Sequence, residues 1–311
     1  MARFRILFVL AIALFTSCSS AQTKAAEPTA DKKNYLRGLY IPVRKTGGAR
    51  SVPFVKSLVE RGKPLGLNAV ALDAQTFKGM VNKINPEVVA YLKGESIYTI
   101  ARVVCFQDGI QKLPVAANHM KKLRALIAEV SQMGFDEINL DYIRFEDAGT
   151  TYPLKKKYEF LDNLLAEFRT LTAQHNIKLS ADVFGRIVYN EKDSIGQNIE
   201  NYAKHTDVIY PMLYPSHFTK DKKRMSDPGF TVSEGTEKAI ERLKGTTTEI
   251  MPWVQVFVYN IQYARVKLSE YVFLQIEALE KTQARGWIAW NAKAEYKELF
   301  QAMEKLSSGR Q

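Results

Sequence analysis

The sequence has few of the residues that define several common classes of site. Its 311 residues include two cysteines, Cys18 and Cys105, and four histidines. Two cysteines cannot supply a disulfide framework or a cysteine-based zinc site, and no H-E-x-x-H spacing occurs. The sequence also lacks a phosphate-binding P-loop and a G-x-S-x-G nucleophile elbow. We therefore predict no cofactor, no metal site and no serine-hydrolase chemistry.

Acidic residues are outnumbered by basic ones, 33 to 44, which gives a formal net charge of +11. The lysines are dispersed along the chain, and no arginine–aromatic nucleic-acid motif accompanies them. We therefore predict no nucleic-acid partner. A solvated basic face accounts for the charge, and attraction to anionic envelope polymers is compatible with it.

Long apolar runs are scarce as well, and the one near the start is too short to span a bilayer. Ile6–Phe15 supplies about half of the roughly 20 residues that a membrane helix needs, and it follows two arginines. This pattern predicts a secretory signal peptide over residues 1–17. Leu14–Cys18 resembles a bacterial lipobox, which implies acylation of Cys18, a flexible tether over residues 18–34 and a lipid anchor in the cell envelope, towards the outer membrane or periplasm. An ordinary cleaved signal that happens to contain a cysteine is the alternative.

Strand-like and helix-like segments alternate over residues 35–311. The predicted strands are Leu36–Val43, Asn68–Ala74, Tyr98–Phe106, Glu137–Phe145, Lys178–Phe184, Asp207–Tyr214, Glu249–Phe257 and Gly286–Asn291. Apolar patterns of helical period separate them, as in Met120–Met133 and Tyr158–Thr172. Eight such units match the size of a TIM barrel, whereas a doubly wound sheet would carry a glycine-rich loop that Thr46-Gly47-Gly48 does not match. We predict an α/β protein with one (β/α)8 TIM barrel over residues 35–311.

Polar residues recur where six of these strands end, which is where TIM-barrel active sites lie. Asn139 and Asp141 share one face of the fourth strand, and Ser180 and Asp182 share one face of the fifth. We predict Asp141 and Asp182 as the catalytic pair. The predicted substrate-binding residues are Asp73, Arg102, Asn139, Arg144, Tyr210, Tyr214, His217, Trp253, Gln255, Trp290 and Asn291.

Paired carboxyl groups beside aromatic side chains are typical of glycoside hydrolase active sites. One acid protonates the leaving oxygen, and the other attacks the anomeric carbon or activates a water molecule. The roles of two of these residues, Arg144 and Asp182, remain open. Arg144 either holds an acid ionised, binds an acidic sugar or forms a structural ion pair with Asp141, although simple alternation turns it away from Asp141. Asp182 is either a site residue or a capping or supporting acid.

The fourth-strand segment Gly134–Phe145 resembles a signature of the bacterial glycosyl-hydrolase-like barrels known as domain of unknown function 4015. Four later segments resemble further motifs of that family in the same order: Ser180–Gly185, Tyr210–His217, Pro252–Gln255 and Trp290–Ala292. The resemblance extends from about Arg37 to Tyr296. It implies a TIM barrel grouped with glycoside hydrolases and a polysaccharide substrate.

A more distant resemblance, to family 18 chitinases, fails at one position. Their D-x-x-D-x-D-x-E pattern, aligned with its last aspartate on Asp141, places its middle aspartate on Asn139 and its proton-donating glutamate on Ile143. Glu146, just beyond the strand, is a weaker substitute. Two functions therefore remain: a glycoside hydrolase acting on an envelope or extracellular polysaccharide, and a lipoprotein that binds glycan without cleaving it.

Overall fold

The computed structural model describes residues 34–76, 79–147 and 151–309. The predicted signal peptide, Cys18 and nearly all of the predicted tether lie outside the described residues. Within these ranges, no helix combines the length and the apolar character needed to cross a membrane.

The described chain alternates between strands and helices from its first element to its last. The strands are β1 Leu36–Ile41, β2 Ala69–Asp73, β3 Tyr98–Val104, β4 Glu137–Asp141, β5 Lys178–Phe184, β6 Val208–Met212, β7 Glu249–Ile250, β8 Trp253–Gln255 and β9 Gly286–Trp290. The helices are α1 Val43–Thr46, α2 Ser51–Gly62, α3 Pro86–Gly94, α4 Ala117–Ser131, α5 Leu154–Ala173, α6 Ile199–Ala203, α7 Lys222–Ser226, α8 Pro228–Arg242, α9 Leu268–Glu280 and α10 Lys297–Ser308.

All the strand pairs are parallel, in the order β7-β6-β5-β4-β3-β2-β1-β9-β8. The two ends of this order, β7 and β8, are separated in the chain only by Met251 and Pro252. They are two halves of the predicted seventh strand, and the break falls at a proline, which cannot donate a ladder hydrogen bond. Because one half pairs with β6 and the other with β9, the sheet closes on itself. The predicted α/β fold class is confirmed.

Strand alternation divides the apolar core into an outer and an inner layer. Leu39, Val70 and Leu140 belong to the large cluster that packs the sheet against the helices, whereas Tyr40 and Ala71 belong to a smaller cluster inside the barrel. The barrel interior is usually filled by branched apolar side chains. Here part of that interior is occupied by polar residues, among them Asp73, Arg102, Asn139, Asp141, Ser180 and Asp182.

The helices form where apolar spacing and local caps agree. In α4, Met120, Leu123, Ile127 and Val130 are buried at helical spacing and face the sheet. Helix α8 begins after Asp227, whose side chain accepts the Phe230 N–H at 2.9 Å. The buried stripe of each helix therefore fixes which face covers the barrel.

The pairing of β1 with β9 depends on a close approach at Gly286, which lies opposite Leu36. A Cβ atom at position 286 would overlap the Leu36 carbonyl, which is backbone and cannot rotate away. We expect Gly286→Ala to lower the free energy of unfolding by about 3 kcal/mol, measured by urea denaturation. Gly94→Ala is the matched control, because nothing lies within 4 Å of its added methyl group. Equal stability of the two variants would contradict this expectation.

Candidate active site

A cavity of about 450 Å³ lies at the carboxyl ends of the strands. Its volume falls within the roughly 300–1,000 Å³ of known ligand pockets. The lining residues are Arg102, Asp141, Tyr142, Arg144, Asp182, Phe184, Gly185, Arg186, Gln197, Met212, Tyr214, His217, Phe218, Trp253 and Trp290. Eight of the thirteen predicted catalytic and substrate-binding residues line this one cavity: Arg102, Asp141, Arg144, Asp182, Tyr214, His217, Trp253 and Trp290.

Arg102, on β3, connects three carboxyl groups beneath this cavity. Its Nη1 donates to Asp73 Oδ1 at 2.5 Å, and its Nη2 donates to Asp141 Oδ2. Its Nε lies 3.9 Å from Asp182 Oδ2. Burying a charge is costly unless it is paired. One buried cation therefore fixes the positions of three acids on β2, β4 and β5.

Asp182 is the acid whose protonation this arrangement perturbs. Burial raises its pKa well above the ordinary range, and the neighbouring charge of Asp141 raises it further. The Arg102 charge lowers this pKa, and so do the hydrogen bonds that Trp253 Nε1 at 2.8 Å and Asn139 Nδ2 at 2.9 Å donate to Oδ1, but these effects offset the increase only in part. Oδ2 is the oxygen left to carry a proton, so Asp182 retains its proton at a higher pH than an ordinary aspartic acid.

Strand β4 ends at Asp141, and the next residue, Tyr142, forms a turn. Its φ of 53° is in the left-handed region, which is rare for a large side chain and accumulates at functional sites. Its N–H donates to Asp141 Oδ1 at 2.6 Å. This turn ends the simple alternation, so Arg144 lines the same cavity as Asp141 instead of facing away from it. Arg102, and not Arg144, is the cation paired with Asp141.

Aromatic side chains form the walls of the cavity. Trp290 stacks on Tyr40 with centroids 4.0 Å apart, and Trp253 lies edge-on to Trp290 at 5.4 Å. The rings of Tyr214 and His217 lie with their centroids 5.3 Å apart, and burial lowers the pKa of His217. These rings offer flat apolar surfaces beside the carboxyl groups.

Five predicted site residues lie outside the cavity lining. Asp73 accepts from Arg102, and Asn139 donates to Asp182, so both support lining residues. Tyr210 points towards the amino ends of the strands and donates to Glu137 at 2.6 Å. Gln255 donates to the Phe257 and Tyr259 carbonyls, and Asn291 donates to the Val256 carbonyl. The last two amides hold the loops after β8 and β9.

The sequence-based predictions missed other residues that build the cavity. Tyr40 donates to Asp73 from β1, and Gln197 donates to the Asp182 carbonyl at 3.1 Å. Phe184 lies between two arginine side chains, with Arg144 Cζ at 4.9 Å and Arg186 Cζ at 4.8 Å from its ring centroid. Tyr40 and Phe184 were within predicted strands and could have been found by their positions. Gln197 lies in a loop, and no sequence period marks it.

The described residues contain no group of three or more His, Cys, Asp or Glu side chains suited to a metal ion. Cys105, the residue after β3, is a buried free thiol in the large apolar cluster that packs the sheet against the helices. The two carboxyl groups of the cavity can donate a proton to a ligand or accept one from it, and the aromatic and arginine side chains can contact that ligand.

The protein thus combines a parallel barrel with two carboxyl groups and two tryptophans at the carboxyl ends of its strands, which are groups that glycoside cleavage uses. The profile of the family described as "Putative glycosyl hydrolase domain" (domain of unknown function 4015) matches residues 117–296. This chain belongs to that family, as its motifs predict. No curated protein matches the sequence.

Solved structures share the fold at low sequence identity. The glycoside hydrolase domain of PgaB (BpsB) from Bordetella bronchiseptica superposes with a TM-score of 0.64 at 12% identity, covering 86% of this chain and 98% of that one. A chitinase from Chromobacterium violaceum gives 0.58 at 14% identity, covering 87% and 98%. A class V chitinase mutant from Nicotiana tobaccum, solved with NAG4, gives 0.53 at 14% identity with the same coverage. These similarities establish a glycoside-hydrolase-like fold.

Removing Arg102 tests its structural role. Arg102→Met leaves Asp73 and Asp141 buried without their cation, and we expect a loss of about 3–5 kcal/mol of unfolding free energy in urea denaturation. The matched control is Arg124→Met, which breaks the half-exposed pair with Glu167 and should cost about 1 kcal/mol or less. Similar losses in the two variants would mean that Arg102 does not organise the acids.

Proposed function

We propose that the protein is a glycoside hydrolase that cleaves an envelope or extracellular polysaccharide with Asp141 and Asp182. The observation that carries the proposal is that both carboxyl groups, from neighbouring strands, line one cavity with Trp253 and Trp290. Trp faces bind the apolar faces of sugar rings, while the two acids supply the proton donor and the second carboxylate of glycoside cleavage.

Asp182 is the proton donor in this proposal. Its raised pKa keeps the carboxyl group protonated at a pH where an ordinary aspartic acid would be ionised. A general acid of this kind protonates the glycosidic oxygen as the bond to the anomeric carbon breaks. The Trp253 and Asn139 donors on Oδ1 orient the group so that Oδ2 delivers the proton.

Asp141 is the second carboxylate. The Arg102 guanidinium and the Tyr142 N–H each engage one of its oxygens and hold it in place at the cavity floor. From there Asp141 either attacks the anomeric carbon or takes a proton from a water molecule that does so.

A second candidate function, glycan binding without cleavage, is favoured by Ile143. The family 18 resemblance places the proton donor at this position, and here the side chain is apolar and fully buried in the core. Both candidate functions use the same aromatic walls, so they differ only in turnover.

The location belongs to the proposal as well. The signal-like residues 1–17 and the lipobox-like segment ending at Cys18 support export and a lipid anchor in the cell envelope, towards the outer membrane or periplasm. An envelope-anchored barrel would meet the polysaccharides on which the proposed activity depends.

The activity is tested by measuring new reducing ends from a panel of bacterial polysaccharides treated with the full-length protein in detergent. We expect Asp141→Asn and Asp182→Asn each to lower the rate by about 10²–10⁴-fold, because each removes an acid that the reaction needs. Asp162→Asn, which alters a partly exposed acid paired with Lys204, should leave the rate unchanged. Equal rates for Asp141→Asn and the native protein would remove Asp141 from the chemistry. Sugar binding without any release would favour the second candidate function.

The pH profile of the same reaction tests the role of Asp182. A proton donor must be protonated, so the rate falls as the pH rises through its pKa, and the raised pKa moves this fall to higher pH. Trp253→Phe removes a hydrogen bond that favours the ionised form, so we expect the fall to move to still higher pH. An unchanged profile would assign the proton donor elsewhere.

Lipidation is tested at Cys18. Cys18→Ser removes the thiol that the proposal acylates, and we expect the protein to move from the membrane fraction to the soluble fraction of the producing bacterium. Labelling with a radioactive fatty acid should disappear in the same variant. Fatty-acid labelling that persists in the Cys18→Ser variant would refute acylation at Cys18.

A further inference from the structure

We propose that the ligand of this cavity is an acidic glycan, and that Arg144 binds its anionic group, a carboxylate or a phosphate. The inference rests on the proposed function, because it assumes that the cavity receives sugar. It adds the chemical class of the sugar.

The Arg144 side chain is held in a fixed position at the cavity wall. It is 10% exposed, its Nη1 donates to the Phe145 carbonyl at 2.9 Å, and its Cζ lies 4.9 Å from the Phe184 ring centroid. The Tyr142 ring lies on the guanidinium as well, at 5.7 Å. Two aromatic rings and one carbonyl therefore orient this guanidinium where it lines the cavity.

The other two arginines of the cavity are neutralised by buried acids. Arg102 is bonded to Asp73 and Asp141. Arg186 donates from Nε and Nη2 to the two oxygens of Asp193, at 2.9 and 3.2 Å, and Asp193 is itself buried. Each of these guanidinium groups is therefore already paired with at least one buried acid, and Arg186 Nη2 also donates to Asp147 Oδ1 at 3.3 Å.

Arg144 differs from them. Within the described part of the chain, its one acidic partner is Asp147, with Oδ2 3.3 Å from Nη1, and that side chain is 57% exposed. Its Nε and Nη2 have no acceptor among the described residues. An exposed carboxylate is screened by water and gives up its partner easily. A nine-tenths-buried arginine on a cavity wall, with two donor nitrogens that bond to no described residue, is therefore placed to bind an anionic group of the ligand.

The shape of this donor group selects the kind of anion. The planar fork of a guanidinium matches the two oxygens of a carboxylate or phosphate, and stacking on an aromatic ring leaves the fork edge free to form those bonds. Trp253 and Trp290 present flat surfaces to a sugar ring in the same cavity. A sugar that carries an acidic substituent satisfies both features, and the net charge of +11 attracts such a polyanion over distance.

The experiment compares each acidic polysaccharide with its own neutral form. Polygalacturonate, alginate and hyaluronan are used before and after chemical reduction of their carboxyl groups, and a polysaccharide that carries phosphate monoester substituents is used before and after phosphatase treatment. Binding to the full-length protein in detergent is measured by titration calorimetry. We expect at least one acidic form to bind about tenfold more tightly than its neutral form, and the pair that shows the difference identifies the anion.

Variants separate recognition of the anion from a structural effect. Arg144→Gln should abolish the preference for the acidic form and leave binding of the neutral form unchanged, and Arg144→Lys should restore part of the preference. Arg124→Gln, on an exposed pair outside the cavity, should retain the full preference. A lost preference with intact neutral binding has no explanation in misfolding, which would weaken both forms.

Two results would overturn the proposal. If the native protein binds acidic and neutral forms equally, or if Arg144→Gln keeps the preference, the anion is not read by Arg144, while the proposed glycan function stands. If no glycan of the panel binds in either form, both proposals fail together.

Discussion

The barrel interior depends on one buried cation. Arg102 lies directly opposite Asp73 in the register of β2 and β3, and directly opposite Asn139 in the register of β3 and β4, two residues before Asp141. Sheet pairing therefore delivers the arginine between the acids without any loop. A slip of one residue in β3 would turn Arg102 into the apolar layer under the helices, and the acids would lose their cation. The register of β3 therefore places Arg102 beside the acids, and the ion pairs of Arg102 in turn stabilise that register.

The two faces of the strands have different roles, since the outer face stabilises the fold and the inner face carries the polar groups of the candidate site. The outer face of the strands carries side chains such as Leu39, Val103 and Leu179, which pack against the helices as an ordinary hydrophobic core. The inner face carries the charged and amide side chains, whose burial is tolerated because they bond to one another. The Tyr40–Trp290 stack closes one side of this polar group. Apolar burial outside thus compensates for a costly interior, and the interior is left free to hold reactive groups in fixed positions.

Much of the fold could be predicted from the sequence, because the patterns that mark helices and strands are local. The apolar period of each helix and the β-rich strands give the order of the elements, and strand ends give the carboxyl edge where Asp141 and Asp182 meet. The details that escaped prediction depend on backbone or on long-range contacts. The left-handed turn at Tyr142 reverses the expected direction of Arg144, and nothing in the period of the strand announces it. Pro252 within the predicted seventh strand did carry a signal, because a proline interrupts a central strand.

The proposed roles were predicted in part for the same reason. Asp141 and Asp182 were found from alternation, since side chains two apart share a face. That Asp141 bonds to Arg102 instead of Arg144 depends on the register in which β3 pairs with β4, and this register is known only from the structure. Gln197 belongs to the same class, because it reaches the cavity from a loop. Side chains placed by their own strand were predictable, and side chains placed by another element were not.

The break at Pro252 also ties the shape of the barrel to the acidity inside it. Trp253 is the first residue of β8, which pairs with β9, yet its indole donates to Asp182 on β5, across the interior. Any movement that parts β8 from the rest of the ring lengthens that hydrogen bond, and Asp182 then holds its proton more tightly. Closure of the sheet at β8 and the pKa of Asp182 are therefore thermodynamically linked through one hydrogen bond, the one that Trp253 Nε1 donates.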